Sequence, residues 1–222
     1  MILRRGSKSL LYNEFFIFLA MSESEIKTLI EYPNEERHLE FKRSKAWDGD
    51  FKAKTTKSIM ALANLRDGGW IVIGKEERSD RTFETVGMTP DDYDSFDPDN
   101  IKAFVYGYAK PPVSFQVLKN EYQGKKFILI KVEEFDELPI ICQKDCGEIL
   151  YAGEIYVRSK GKPETIHIPT EAEMREIIEN TIDKGVRKFV QRLQRTGLWV
   201  SSTPFSASDD EDDYRRQRAD LI

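Results

Sequence analysis

The segment that most constrains this chain is Asp67-Gly68-Gly69 followed by Trp70-Ile71-Val72-Ile73-Gly74. A continuous apolar run of this length, punctuated by glycine on both sides, suits a strand covered on both faces. The residues before it supply one covering layer. Over 51–65, Phe51, Thr55, Ile59 and Leu62 recur at helical spacing, with Asp50 placed to cap and Asp67-Gly68-Gly69 to terminate. Over 38–43 the period changes to two. Leu39 and Phe41 point one way and His38, Glu40 and Lys42 the other, as in a half-buried strand.

Further elements follow from the same periodicities. A short helix is expected over 24–32, with Ile26, Leu29 and Ile30 on one side. The acidic stretch 76–99 reads as an exposed connector, and 100–108 as a helix halted before Pro111-Pro112. Segments 113–118 and 126–132 predict an antiparallel hairpin around Asn120-Glu121-Tyr122-Gln123-Gly124, and 140–143 and 154–158 further strands. Thr170-Glu171-Ala172-Glu173, behind Pro169, has the form of a capping box. It opens a long amphipathic helix over 171–193 through Met174, Ile177, Ile178, Ile182, Phe189, Val190 and Leu193. No internal repeat and no second domain is evident.

The 222 residues divide into an N-terminal extension over 1–20, one domain over 21–197 and an acidic tail over 198–222. The extension reads as a strap across the core, a short helix, or residues upstream of a true translation start at Met21. The tail, with Asp209, Asp210, Glu211, Asp212 and Asp213, reads as disordered. These acids dominate the net charge of -5 and mask a local excess elsewhere: Lys42, Arg43, Lys45, Lys52, Lys54 and Lys57 face only Asp48 and Asp50. A nucleic-acid surface is thereby permitted, as is an ordinary solvated face. No run of eighteen apolar residues exists, so no spanning helix and no membrane partner is expected. Two Cys and two His exclude a disulfide scaffold and leave little room for zinc. Cys142 and Cys146, joined with His38 or His167 only by an improbable spacing, default to ordinary thiols of a reducing, cytoplasmic compartment.

Phosphate-loop, dinucleotide-fingerprint and His-Glu-x-x-His motifs are absent. One ordered constellation remains. Glu35 precedes Glu40-Phe41-Lys42; Ala61-x-Ala63-Asn64 leads to Gly68-Gly69 and the apolar strand ending Ile73-Gly74; Glu76-Glu77, Val86-Gly87 and Tyr156-Val157-Arg158 follow. This order resembles the Schlafen AlbA-type (AlbA_2) domain, a family described as DNA-binding, over about 24–179.

The resemblance implies an α/β (α+β) fold, a mixed sheet with short helices packed on it, like one lobe of a Schlafen core, here with a long C-terminal amphipathic helix. Animal Schlafen proteins pair two such lobes in a basic clamp, and some cleave tRNA or rRNA with three acidic residues. Carried onto this chain, those acids match Glu35, Glu40 and Glu77, the last with Glu76 as its close alternative, and Lys42 stands beside the first two; Gly74-Lys75-Glu76-Glu77 departs from the family's Gly-Val-x-Asp. A set of three carboxylates would take Mg²⁺ or Mn²⁺, and the ion would supply a hydroxide near a phosphate. Taken alone, Glu40 and Lys42 read equally as an ion pair and Glu35 as a loop residue.

Phosphate contacts are expected of Lys42, Arg43, Lys52, Lys54, Arg158 and Lys160, with Arg158 alternatively pairing one of the many acids. Trp47 is either a stacking platform or a core residue, and Asn64, Gly68 and Gly69 read as structural. The functional expectation is a nucleic-acid-binding protein acting as a metal-dependent endoribonuclease on structured RNA. The alternatives are a non-catalytic DNA-binding regulator and a nucleotide-binding interaction module. A single lobe must pair with a copy of itself to rebuild a two-lobed clamp, and the long helix is available for that contact, so a homodimer is expected.

Overall fold

The computed structural model describes residues 22–167 and 170–198, so the expected extension, Met21, Pro169 and all of the tail except Leu198 lie outside the described residues. In chain order the elements are α1 (Glu23–Glu31), β1 (Leu39–Lys42), α2 (Gly49–Ala63), β2 (Gly69–Ile73), β3 (Lys75–Glu77), β4 (Phe83–Thr85), α3 (Pro90–Asp94) and α4 (Pro98–Tyr106). They continue with β5 (Ala109–Lys110), β6 (Phe115–Tyr122), β7 (Lys125–Val132), β8 (Ile141–Cys142), β9 (Tyr156–Arg158), β10 (Thr165–His167) and α5 (Glu171–Arg195).

The central sheet runs β1-β2-β7-β6 and is mixed, as expected: β1 lies parallel to β2, and the remaining pairs are antiparallel. Its parallel pair needs a long crossover, which α2 provides. Alternation along β2 and β7 divides the interior in two. Ile71, Ile73, Ile128, Ile130 and Val132 pack with Ile59, Met60 and Leu62 of α2. Val72, Phe127 and Leu129 meet Leu39, Phe41 and Ile30 on the α1 side. The doubly covered strand read from the apolar run is therefore β2, and Glu40 and Lys42 project from β1 toward α2.

Two turns make this layering possible. Gly68 has φ +67°, and a Cβ there would lie 2.1 Å from the Val132 carbonyl oxygen; one at Gly69 would lie 2.5 Å from that of His38. Only glycine admits so close a backbone approach. Asn64, the C-cap of α2, donates through Nδ2 to the carbonyls of Ile140 (2.9 Å) and Tyr156 (3.0 Å) and accepts from the Ile140 amide (2.7 Å). One buried amide thus fastens α2 to β9 and to the 140 segment. Trp47 takes the core alternative, buried with its ring centroid 5.6 Å from that of Phe96.

Several expectations need correction. The N-cap of α2 is Asp48, not Asp50, which sits in the first turn, where a carboxylate still favours the helix N-terminus. The acidic stretch is not a bare connector: it holds the β3-β4 hairpin, α3 and the start of α4. Asp97 caps α4, accepting from the Asn100 amide at 2.8 Å. The hairpin strands reach further than expected and close on Gln123-Gly124, both at positive φ, a two-residue turn matched to strand twist. The Thr170 capping box is incomplete, because its hydroxyl donates to the Glu173 carboxylate and accepts no amide.

Candidate functional site

Strand β1 presents Glu40 beneath α2, where its relative exposure is 8%. A buried carboxylate must be paired, and this one has three partners. Oε1 accepts from Lys42 Nζ (2.5 Å) and Ser58 Oγ (2.6 Å), and Oε2 from Arg158 Nη1 (2.9 Å). Burial opposes ionisation, but Lys42, Arg158 and Ser58 outweigh it and hold the Glu40 carboxyl below its usual range.

Arg158, at 2% exposure, is the largest fully buried side chain. All five of its donors are used: Nε on the Arg37 carbonyl, Nη1 on Glu40 and the Thr165 hydroxyl, and Nη2 on the carbonyls of Glu36 and Pro163. The expected phosphate contact at Arg158 is thus corrected to the other alternative, pairing with an acid. No donor remains for a ligand.

Glu35 stands at the edge of this centre. Its Oε1 accepts from the Phe41 amide at 2.7 Å; burial pushes its carboxyl up, the Phe41 hydrogen bond opposes that, and the Glu40 charge adds to the rise. Glu35 also lines a cleft of about 320 Å³ with Phe41, Arg43, Lys75, Glu76, Glu77 and Phe83. The structure therefore brings Glu35 and Glu77 to one cleft while Glu40 points to the α2 side. Among the described residues no group of three His, Cys, Asp or Glu side chains is placed to hold a metal ion. With Glu40 neutralised by two cations, the donor set does not fit a shared Mg²⁺ or Mn²⁺ at Glu35, Glu40 and Glu77.

A second cleft, of about 350 Å³, adjoins the first through Arg43, Lys75 and Glu76 and adds Ser44, Lys45, Gly74, Val86 and Gly87. Arg43, Lys45 and Lys54 are exposed, and Lys52 and Lys57 half-buried against the rings of Phe104 (5.9 Å) and Tyr156 (5.1 Å). Lys160 is exposed but pairs with Glu176 at 3.2 Å.

Three contributors escaped the sequence reading. Arg37 grips Glu176 of α5 through two bonds (3.0 and 2.8 Å) and donates to the Arg158 carbonyl. Ser58 is the hydroxyl on Glu40. Lys75, 2% exposed, directs Nζ to the carbonyls of Ile30 and Tyr32 at the end of α1, 3.9 Å over the Phe41 ring, and burial brings its pKa down to about 8. A charged residue directly after a doubly covered strand was the available signal for Lys75.

The family model "Schlafen, AlbA_2" matches residues 35–167, a span that begins at Glu35 and holds Glu40, Asn64, Gly68 and Arg158. The chain belongs to the Schlafen AlbA_2 family. No curated protein gives a match. Among solved structures, the DIP2311 protein from Corynebacterium diphtheriae is 15% identical with a TM-score of 0.42, over 60% of this chain. This chain spans only 22% of the length of that protein. The N-terminal domain of a RecG-related protein from Nitrosomonas europaea is 21% identical with a TM-score of 0.37, over 54% of this chain and 80% of that domain. Both likenesses are distant. No helix among the described residues of this AlbA_2 domain is long and apolar enough to cross a membrane.

Proposed function

We propose that the domain binds the phosphodiester backbone of RNA or DNA through the face built from Arg43, Lys45 and Lys54, flanked by Lys52 and Lys57. One observation carries this reading. Among the described residues none of these five cations has a carboxylate within ion-pairing distance, whereas Lys42, Arg158 and Lys160 each have one. Uncompensated cations on a rigid strand-and-helix frame attract phosphates and release their counterions. Membership of the AlbA_2 family supports the same ligand class. Lys42 and Arg158 act behind this face, fixing β1 against β9, and do not touch the ligand.

The test is a titration of the full chain with a labelled hairpin RNA and a duplex DNA across a salt series. Affinity falls linearly in the logarithm of salt concentration, and Arg43→Glu/Lys54→Glu weakens it at least tenfold at low salt. Absence of binding at low salt, or binding indifferent to salt, would refute the reading. In this reading a folded RNA incubated with Mn²⁺ and the protein stays intact; cleavage that a chelator abolishes would turn the assignment to an endoribonuclease.

A further inference from the structure

The C-terminal helix α5 is docked the opposite way round from an ordinary amphipathic helix. Its row toward the domain is mainly polar. Glu173 accepts from the Lys160 amide (2.8 Å), Glu176 from Arg37, Asn180 donates to Glu134, and Lys184 pairs with Glu134 (3.1 Å). Ile177 is the one large apolar side chain of α5 buried there. Ile178, Ile182, Val186 and Phe189, spaced by four, four and three residues, form a row on the other side with exposures of 51, 57, 56 and 61%. Four large apolar side chains aligned in water call for a cover.

Three independent features of α5 share one centre. The helix runs Glu171–Arg195, so its midpoint falls at Asp183. The apolar row is centred between Asp183 and Lys184. The net charge reverses there too: before Lys184 stand Glu171, Glu173, Glu176, Glu179 and Asp183 with the single cation Arg175, itself paired with Glu171, while Lys184, Arg187, Lys188, Arg192 and Arg195 all follow Asp183. Beside the centre lies Gly185, an interior helical glycine costing about 1 kcal/mol against alanine. A Cβ there would meet nothing within 4 Å, so packing within the domain does not require it. A bare backbone there leaves room for a second helix to come close.

We infer that a second copy of this chain covers the row, with the two α5 helices packed antiparallel about a two-fold axis at Asp183–Lys184. In that register Ile178 lies beside Phe189 of the second copy and Ile182 beside its Val186, while each acidic half lies along a basic half. An isologous contact needs one patch that complements itself, and this charge pattern does so only head to tail. A parallel pairing would set acid against acid and base against base. Because the docking row and the apolar row lie on opposite sides of α5, both domains stay on the outside of the pair. The inference rests on α5 alone and stands whether or not the domain binds nucleic acid.

The test uses the full chain. Sedimentation equilibrium at micromolar concentration gives twice the 25.8 kDa chain mass, and Ile182→Glu/Val186→Glu returns it to a monomer that keeps the folded far-UV spectrum, since both side chains are exposed in the single chain. A short bis-maleimide joins two copies of Ile182→Cys, close to the axis, but not of Phe189→Cys, whose sulfurs are separated by roughly 16 Å along the axis at 1.5 Å per residue. The wild type, with Cys142 and Cys146, reports the background. A monomer at every concentration overturns the inference. So does equal cross-linking of the two variants, which means a parallel pair. A monomer whose row becomes dye-accessible only when residues 1–20 are removed also overturns it, in favour of the chain's own N-terminal residues.

Discussion

Arg158 Nη1 lies 2.9 Å from Glu40 Oε2, across 118 residues of sequence, with both side chains buried. Each buried charge is compensated by the other. A buried pair of this kind adds little beyond what an apolar pair would, but removing one partner strands the other.

Glu40→Gln keeps the shape and removes the charge, so it is expected to cost about 3–5 kcal/mol in unfolding free energy. Adding Arg158→Met to it recovers part of that loss. Denaturant melts of the two variants check this, and an unchanged Glu40→Gln midpoint would refute it. The folded carboxyl ionises below its ordinary value, so its contribution is complete above the unfolded pKa of about 4.3 and is lost as pH falls through the folded one. Acid melts of Glu40→Gln therefore lack that component.

Lys75 gives the opposite sign. Burial brings its pKa to about 8, so between about 8 and its ordinary value of 10.5 the unfolded chain holds the extra proton. Stability contributed by this group rises with pH across that window. The neutral amine still has two N–H donors for the two carbonyls of Ile30 and Tyr32. Lys75→Met is expected to flatten the slope of melting temperature against pH between 8 and 10; an identical slope in both proteins would contradict the assignment.

At Asn64 one side chain serves three backbone groups. Asn64→Ala leaves the Ile140 amide and two carbonyls unpaired in the interior, a loss of roughly 2–4 kcal/mol. Hydrogen exchange at the Ile140 amide should accelerate in the variant, and unchanged protection there would count against the staple.

Two glycines separate conformational cost from collision. Gly68→Ala drives a Cβ to 2.1 Å from a carbonyl oxygen and is expected to abolish folding. Gly124→Ala, at φ +72° with open space around it, is expected to cost only about 1 kcal/mol. Equal melting temperatures for the two variants would mean that β2 does not approach β7 as described.

The elements legible in the sequence are α1, β1, α2, β2, α4, the β6-β7 hairpin, β8, β9 and α5, most of them long enough to show a period or closed off by glycine or proline. The β3-β4 hairpin was hidden because three-residue strands with exposed acids, such as Glu76 and Glu77, carry no periodic signal. Alternation put Glu40 and Lys42 on one face, as observed, but local pattern holds no information about a partner 118 residues away. The sequence accordingly leaves Arg158 open between a phosphate contact at a strand end and a pair with one of the many acids. The apolar row of α5 was visible as well. Its direction was not, because the contacts that orient the helix, such as Arg37 with Glu176 and Lys184 with Glu134, are polar and long-range.

The distance in sequence between Glu40 and Arg158 also orders events during synthesis. Until the ribosome has released β9, the first three-quarters of the domain carries a β1 carboxylate without its guanidinium and an Asn64 amide without the Tyr156 carbonyl. The nascent chain is then bound to remain open over α2 and β1, whatever its hairpin has formed. A nascent chain stalled with 150 exposed should be cleaved readily by protease within α2, and one stalled with 170 exposed should resist. Equal resistance at both lengths would show that the closing strand is dispensable.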